Sequence, residues 1–167
     1  MKVVLSLGSN LGRRFTTLQG AVDTLFDAPG LEFIEASPVY ETDPVGGPGG
    51  QRPYLNAIVV AETTLEPRTL LERAQGVENA FGRERLERWG PRTLDIDLIV
   101  VGETVCDDPD LTLPHPRAHE RAFVLVPWSK ADPGAVVPGR GPVSELLEGV
   151  GEQGVRLRED LRLQRPD

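Results

Sequence analysis

The sequence predicts an α+β fold, and three observations carry the prediction. Apolar residues alternate in several short stretches and recur at three- and four-residue intervals in two longer ones, the marks of strands and of amphipathic helices. Glycine and proline mark the joins, as at Pro29-Gly30, Gly82, Gly90-Pro91 and Gly102. Taken in order, the stretches run strand, helix, strand, strand, helix, strand, with no linker or repeat to divide them.

Residues 2–7 form a short apolar strand. Gly8-Ser9-Asn10-Leu11-Gly12 reads as a loop, whose glycines permit tight turns and whose Ser9 or Asn10 caps the helix after it. It has neither the Gly-Lys-Ser/Thr ending of a P-loop nor the spacing of a dinucleotide-binding Gly-x-Gly-x-x-Gly. Phe15, Leu18, Val22, Leu25 and Phe26 describe a helix to about residue 27. Residues 31–36 alternate as a strand, Ser37-Pro38 interrupts it, and 39–42 resume the same edge. Residues 43–53 hold three prolines and four glycines. They read either as a tolerated surface insertion or as a lid over a substrate, with 45–53 expected to be mobile until a ligand binds.

Residues 54–62 make the third strand, with Tyr54 and Asn56 on one face. An amide in so apolar a strand needs a partner, either a structural one or a ligand. Pro67 opens a second helix, along which Leu70, Leu71, Ala74, Val77 and Phe81 run to a C-cap at Gly82. Gln75 and Glu78, three apart, share one side of it and by pattern alone are plain solvent-facing residues. Residues 94–101 form the fourth strand, and 107–110 an acidic, proline-broken connector. Pro116 is expected to open a helix to about residue 126. Residues 135–137, 143–147 and 155–163 complete a small C-terminal hairpin/helix appendage. The expected organisation is one domain over 1–163 with a frayed tail at 164–167. The element order is that of a ferredoxin-like βαββαβ core, which by itself assigns no function.

The most informative stretch is Arg88-Trp89-Gly90-Pro91-Arg92-Thr93-Leu94-Asp95-Ile96-Asp97-Leu98-Ile99. A turn at Gly90-Pro91 feeds a strand on which Asp95 and Asp97 point the same way, roughly 7 Å apart along the chain. Two neighbouring carboxylates repel, and a hard divalent cation removes that cost; Mg2+ is held by one or two carboxylates plus substrate phosphates. Arg83, Arg85, Arg88 and Arg92 bring guanidinium forks to the same turn, as a metal-bound polyphosphate requires. The bland alternative is a solvated strand end with a surface ion pair. His115 and His119 are spaced like a pair of metal ligands, yet no third ligand stands near them in sequence. His115 between two prolines is held as a rigid hydrogen-bond donor to an anion would be, with Arg121 beside it.

Composition narrows the functions further. The net charge of −8 opposes non-specific nucleic-acid binding. Only Lys2 and Lys130 are lysines among 18 basic residues, and four of the arginines fall within 83–92. One local arginine cluster on an acidic protein suits a small anionic ligand better than a long polyanion. A single cysteine, Cys106, fits a reducing cytosol, and no signal peptide or membrane span is read from the sequence, so a cytoplasmic monomer is expected.

These residues resemble the 6-hydroxymethyl-7,8-dihydropterin pyrophosphokinases of the folate pathway. The resemblance runs through Leu7-Gly8-Ser9-Asn10-Leu11-Gly12, Tyr40-Glu41-Thr42-Asp43-Pro44-Val45-Gly46 and Tyr54-Leu55-Asn56-Ala57. It continues with Glu78, Gly82-Arg83, the stretch from Arg88 to Asp97, and Leu113-Pro114-His115-Pro116 with Arg121 and Phe123. It covers nearly the whole chain, and the Arg-Trp-Gly-Pro-Arg-Thr-Leu-Asp-Ile-Asp run is its most specific part.

The resemblance implies a ferredoxin-like enzyme that transfers pyrophosphate from ATP to the pterin's hydroxymethyl oxygen and releases AMP. It implies that Asp95 and Asp97 bind two Mg2+ ions, and that Arg83, Arg85 and Arg92 contact phosphates or close the site. Gln75, Glu78, Arg85, Trp89, Arg92, Leu98, Thr112, His115 and Arg121 fall on the ATP side. Thr42, Pro44, Val45, Tyr54, Asn56 and Phe123 fall on the pterin side. Two features depart from the family pattern. Asp110 stands where some members carry an arginine, and the interval from Gly82 to Arg88 is one residue shorter than in some relatives, which leaves the roles of Arg83 and Arg85 exchangeable. The competing readings are a non-catalytic ferredoxin-like nucleotide-binding module and a kinase that moves only the γ-phosphoryl group.

Overall fold

β1 (Lys2–Ser9) is the middle of the sheet, and from Val3 onward every one of its residues is buried. Its side chains alternate: Val3, Leu5 and Leu7 go to one side, Val4 and Ser6 to the other. A strand buried on both faces needs partners on both edges, and β1 has them. β4 (Tyr54–Thr63) and β5 (Asp95–Val101) flank it antiparallel, so that Ser6 lies opposite Ile58 and Asp97, and Gly8 opposite Asn56 and Asp95. The computed structural model describes residues 1–44, 49–82, 93–152 and 154–166.

β2 (Leu31–Ala36) and β3 (Tyr40–Thr42) both pair antiparallel with β4. They are one edge broken at Ser37-Pro38, as the sequence predicts. Pro38 has no N–H for the ladder, and Ser37 bridges the gap: its N–H donates to the Ile58 carbonyl at 2.8 Å and its Oγ accepts the Ile58 N–H at 2.8 Å.

α1 (Arg14–Leu25) and α2 (Pro67–Ala80) lie on one face. Leu18, Val22, Leu70, Ala74 and Val77 pack there with Leu5, Leu7, Ile96 and Leu98. Each such aliphatic chain contributes roughly 1.5–3 kcal/mol by leaving water. Pro67 starts α2, where its missing N–H costs nothing, and Gly82 stops it, with φ 75° and its N–H donated to Asn79. On the other face α3 (Ala122–Ala131) sets Val124, Leu125 and Trp128 against Val4, Ile58, Val60 and Ile99.

The C-terminal half differs from expectation in three places. Residues 107–110 are no plain connector: β6 (Cys106–Asp108) and β7 (Leu111–Leu113) form a hairpin, because Leu111 and Leu113 alternate into the helix-side core around Thr112. Pro116 does not open a long helix. A 3-10 turn (Ala118–Glu120) comes first, and extended Arg121 (φ −111°, ψ 111°) separates it from α3. The C-terminal hairpin and helix form as expected, but the segment also adds a strand to the main sheet. After the hairpin of β8 (Val136–Val137) and β9 (Gly141–Pro142) and the helix α4 (Val143–Val150), β10 (Val155–Leu157) pairs with β3 and joins the main sheet. It covers an edge whose backbone groups β3 would otherwise leave unpaired. Among the described residues the order is β10-β3-β4-β1-β5, with β2 also on β4. Beyond β10, the Gln164 N–H donates to Gln19 Oε1 at 2.7 Å, and the Arg165 guanidinium stands 5.1 Å from the Phe33 ring centre. No helix among the described residues is long and apolar enough to cross a membrane.

Candidate active site

Three central strands change character along their length on the face that α3 shares. Val4, Ile58, Val60 and Ile99 are apolar and lie in the α3 cluster. Beyond them the same face presents Ser6 and Gly8 on β1, Tyr54 and Asn56 on β4, and Asp95 and Asp97 on β5. None of these six belongs to the apolar cluster. The site is built at this polar end.

Asp95 and Asp97 are both half-buried, two residues apart, and share one face. Between them, Ile96 points into the opposite core, and its N–H donates to Glu78 Oε2 at 2.9 Å. Glu78 is therefore not the solvent-facing residue its helical position suggests; it is 4 % exposed. A buried carboxylate is costly unless hydrogen-bonded, and this bond ties α2 to β5 at the one residue between the two aspartates.

Asn56 is also buried at this end. Thr42 Oγ donates to Asn56 Oδ1 from the neighbouring strand, and Asn56 Nδ2 points at the Leu7 carbonyl, 3.5 Å away. Gly8 makes room for this amide. A Cβ at position 8 would sit 2.7 Å from Asn56 Nδ2 and 3.3 Å from the Tyr54 ring. Gly8 thus belongs to a strand and serves a close approach, where the sequence suggests a turn.

A cleft of about 450 Å³ opens beside this end, with Thr42, Asp43, Pro44, Arg121, Phe123 and Gly154 in its wall. Arg121 crosses the Phe123 ring at 5.4 Å. Burial lowers the Arg121 pKa from its ordinary value, and the charge of Asp97 acts in the opposite sense, which places the two within electrostatic reach. The wall combines an aromatic ring and threonine and proline surfaces with two guanidinium groups, Arg117 and Arg121, and two carboxylates, Asp43 and Glu120, which gives a flat heterocycle both a stacking face and polar partners.

His115 is tied to β5 by its backbone N–H, donated to the Ile99 carbonyl at 2.8 Å. Its Nδ1 accepts the Arg117 N–H at 3.2 Å. Burial, then the charges of Arg121 and Arg117, push its pKa down to about 4. At neutral pH the ring is neutral, and with Nδ1 occupied as acceptor the proton is on Nε2, which leaves that nitrogen a donor.

The expected ATP-side residues are less tightly gathered. Gln75 is exposed on α2 while Glu78 is buried. The Leu98 side chain lies in the helix-side core, so its backbone carries any polar contact with a ligand. Thr112 is on β7, its Oγ donating to the Asp108 carbonyl at 3.3 Å. Asp110 is paired, with Arg68 Nη1 2.8 Å away, and the same guanidinium holds Asp108. Val45, Arg83, Arg85, Arg88, Trp89 and Arg92 lie outside the described residues.

The donor set suits the expected metal. Two half-buried carboxylates on one face offer a hard cation part of its oxygen shell and leave the rest to phosphates and water. Among the described residues no group of three or more His, Cys, Asp or Glu side chains gathers as a metal site, and His115 and His119 find no third ligand. Neither Ser9 nor Asn10 caps α1, whose N-cap is Arg13; Asn10 is buried and donates instead to Gln51 Oε1 and the Arg52 carbonyl, both at 3.2 Å. Sequence reasoning passed over Arg14 and Glu41. The one available signal was their unusual chemistry for a strand edge and a helix start.

Residues 4–133 match the family model described as 7,8-dihydro-6-hydroxymethylpterin-pyrophosphokinase (HPPK). The chain is 47% identical over 178 residues to the 2-amino-4-hydroxy-6-hydroxymethyldihydropteridine pyrophosphokinase of Mycobacterium tuberculosis H37Rv, covering 99% of this chain and 90% of that one. It is 37% identical over 154 residues to the protein of that name in Pseudomonas aeruginosa, covering 92% and 94%. Among solved structures, wild-type Plasmodium falciparum HPPK-DHPS with pteroate superposes with a TM-score of 0.69 at 14% identity, over 89% of this chain. That likeness is one of fold, and this chain spans only 42% of the Plasmodium chain.

Proposed function

The chain belongs to the 7,8-dihydro-6-hydroxymethylpterin-pyrophosphokinase family, and from that premise we propose how its residues serve the reaction. The enzyme transfers pyrophosphate from ATP to the hydroxymethyl group of 6-hydroxymethyl-7,8-dihydropterin in folate biosynthesis and releases AMP. The hydroxymethyl oxygen forms a bond to the β-phosphorus as the bond from that phosphorus to the AMP oxygen breaks, and the hydroxyl proton is lost.

The observation that carries the residue assignment is the shared face of Asp95 and Asp97 at the polar end of the sheet, beside Arg121. In this reading the two carboxylates hold two Mg2+ ions. When bound, the ions supply charge neutralisation for the triphosphate. Arg121 meets phosphate charge, and His115 donates from Nε2 without adding a positive charge of its own. Arg83, Arg85, Trp89 and Arg92 complete the ATP side, with Gln75, Glu78, Leu98 and Thr112. Glu78 acts through Ile96 by fixing the strand that carries the aspartates.

The pterin takes the cleft of Thr42, Pro44 and Phe123, and Val45 is assigned to the same substrate by the family pattern alone. Its ring stacks on an aromatic face, and Asn56, held by Thr42, reads its polar edge beside Tyr54. Catalysis is then positioning and electrostatics, with no covalent enzyme intermediate. The antiparallel order β5-β1-β4-β3, with α1 and α2 on one face, supports reading the core as ferredoxin-like. We further read residues 1–163 as one functional domain of a cytoplasmic monomer with no nucleic-acid partner, in keeping with the acidic charge.

Chromatography of the nucleotide product tests the reaction. AMP should appear only when the pterin is present. ADP as product would mean transfer of the γ-phosphoryl group alone, and binding of both substrates without AMP would mean a non-catalytic module.

A further inference from the structure

The polar end of the sheet has an underside, and Glu41 is its centre. Glu41 lies in β3 between Tyr40 and Thr42 and opposite Leu55, so its side chain leaves on the face opposite Thr42. There Arg14, the first residue of α1, donates from Nη1 to Glu41 Oε2 at 2.9 Å and, from the same nitrogen, to the Pro53 carbonyl at 2.9 Å. Arg158 reaches Glu41 Oε2 at 3.2 Å, and Arg156 lies 3.8 Å from Oε1. The bond from Arg14 is the leading reason that the Glu41 carboxyl titrates below its ordinary range.

The two acceptors of Arg14 are each one residue from the pterin side of the site. Glu41 precedes Thr42, and Pro53 precedes Tyr54. Thr42 and Tyr54 are in turn register partners across β3 and β4. Arg14 therefore fastens both strands from below at the point where they carry the pterin groups above. Its side chain is 16% exposed, so the contact is largely withdrawn from competing water.

We propose that Arg14 is a positioning residue for the pterin substrate: by joining the Glu41 carboxylate to the Pro53 carbonyl it holds Thr42 and Tyr54 at the spacing the pterin needs, without touching substrate. The proposal rests on the pterin assignment given above. Loss of Arg14 does not orphan Glu41, because Arg156 and Arg158 remain on that carboxylate. What is lost is the link to Pro53, so the effect falls on one substrate and not on the fold.

The test is steady-state kinetics with each substrate varied in turn, on Arg14→Met, Arg14→Lys and the control Asn56→Ala. Arg14→Met should raise the pterin KM about tenfold, the loss of one charge-assisted hydrogen bond. The ATP KM and kcat should stay within about twofold, a split that general loosening of the fold would not produce. Arg14→Lys keeps a charged donor and should recover most of the loss. An unchanged pterin KM in Arg14→Met beside a raised one in Asn56→Ala overturns the proposal and leaves the pterin assignment standing. An equal rise in both KM values, or failure of Arg14→Met to fold, also overturns it. An unchanged pterin KM in Asn56→Ala overturns the assignment itself, and the proposal with it.

Discussion

The two ends of one sheet face have the same strands, the same pleat and opposite chemistry. At the α3 end, β1, β4 and β5 present Val4, Ile58, Val60 and Ile99 to Trp128 and Leu125. At the other end the same strands present Gly8, Asn56, Asp95 and Asp97. The first end buries apolar surface and makes the platform rigid. The second could not be buried this way without leaving carboxylates and amides unpaired, at several kcal/mol each. The division shows where stability and reactivity reside in this molecule. Three perturbations sharpen it, and a fourth tests its centre.

The largest effect on stability belongs at the covered end. Trp128 is 1% exposed, and Trp128→Ala should destabilise the protein by about 3–5 kcal/mol in chemical denaturation. Below its melting temperature the variant should keep wild-type KM values, since Trp128 belongs to the apolar cluster and does not line the cleft. A changed KM at unchanged stability would break the division.

A smaller change at the open end should do the reverse. In Gly8→Ala the new Cβ meets Asn56 Nδ2 at 2.7 Å, and the amide must move. The pterin KM should rise by about tenfold, the cost of roughly one misplaced hydrogen bond. The ATP KM should follow only weakly, and the melting temperature should drop by a few degrees at most.

The smallest effect is a pH dependence at His115. The folded-state pKa of His115, about 4, lies below the ordinary value of 6.5, so between these values the unfolded chain binds the extra proton. Stability from this group is therefore complete above about pH 6.5 and is lost as pH falls towards about 4. Replacing His115 with Asn should flatten that part of a plot of melting temperature against pH. An unaltered slope would mean that the imidazole is not held neutral by its surroundings.

Much of this is legible in the sequence. Period two places Asp95 and Asp97 on one face and Tyr54 and Asn56 on another strand's face, because side-chain alternation is local. Ser37-Pro38 announces a broken edge for the same reason. What stays hidden depends on partners distant in sequence. Glu78 looks like a surface residue because nothing local reveals that Ile96 waits above it with an N–H. Gly8 looks like a turn residue because its crowding comes from Asn56, 48 positions away in the chain but directly opposite in register. The pairing of β10 with β3 is invisible for a like reason: three residues with no marked pattern gain their place from an edge they cover. Arg14 and Glu41 carry only the faint signal of charge where apolar residues are usual.

The most direct measurement is AMP release by Asp97→Asn, with the melting temperature taken on the same preparation. The substitution keeps the side chain's size and removes the charge. If the two carboxylates hold the metal, the variant melts like the wild type and releases AMP about 10²–10³-fold more slowly. AMP release at the wild-type rate from the folded variant would contradict that role.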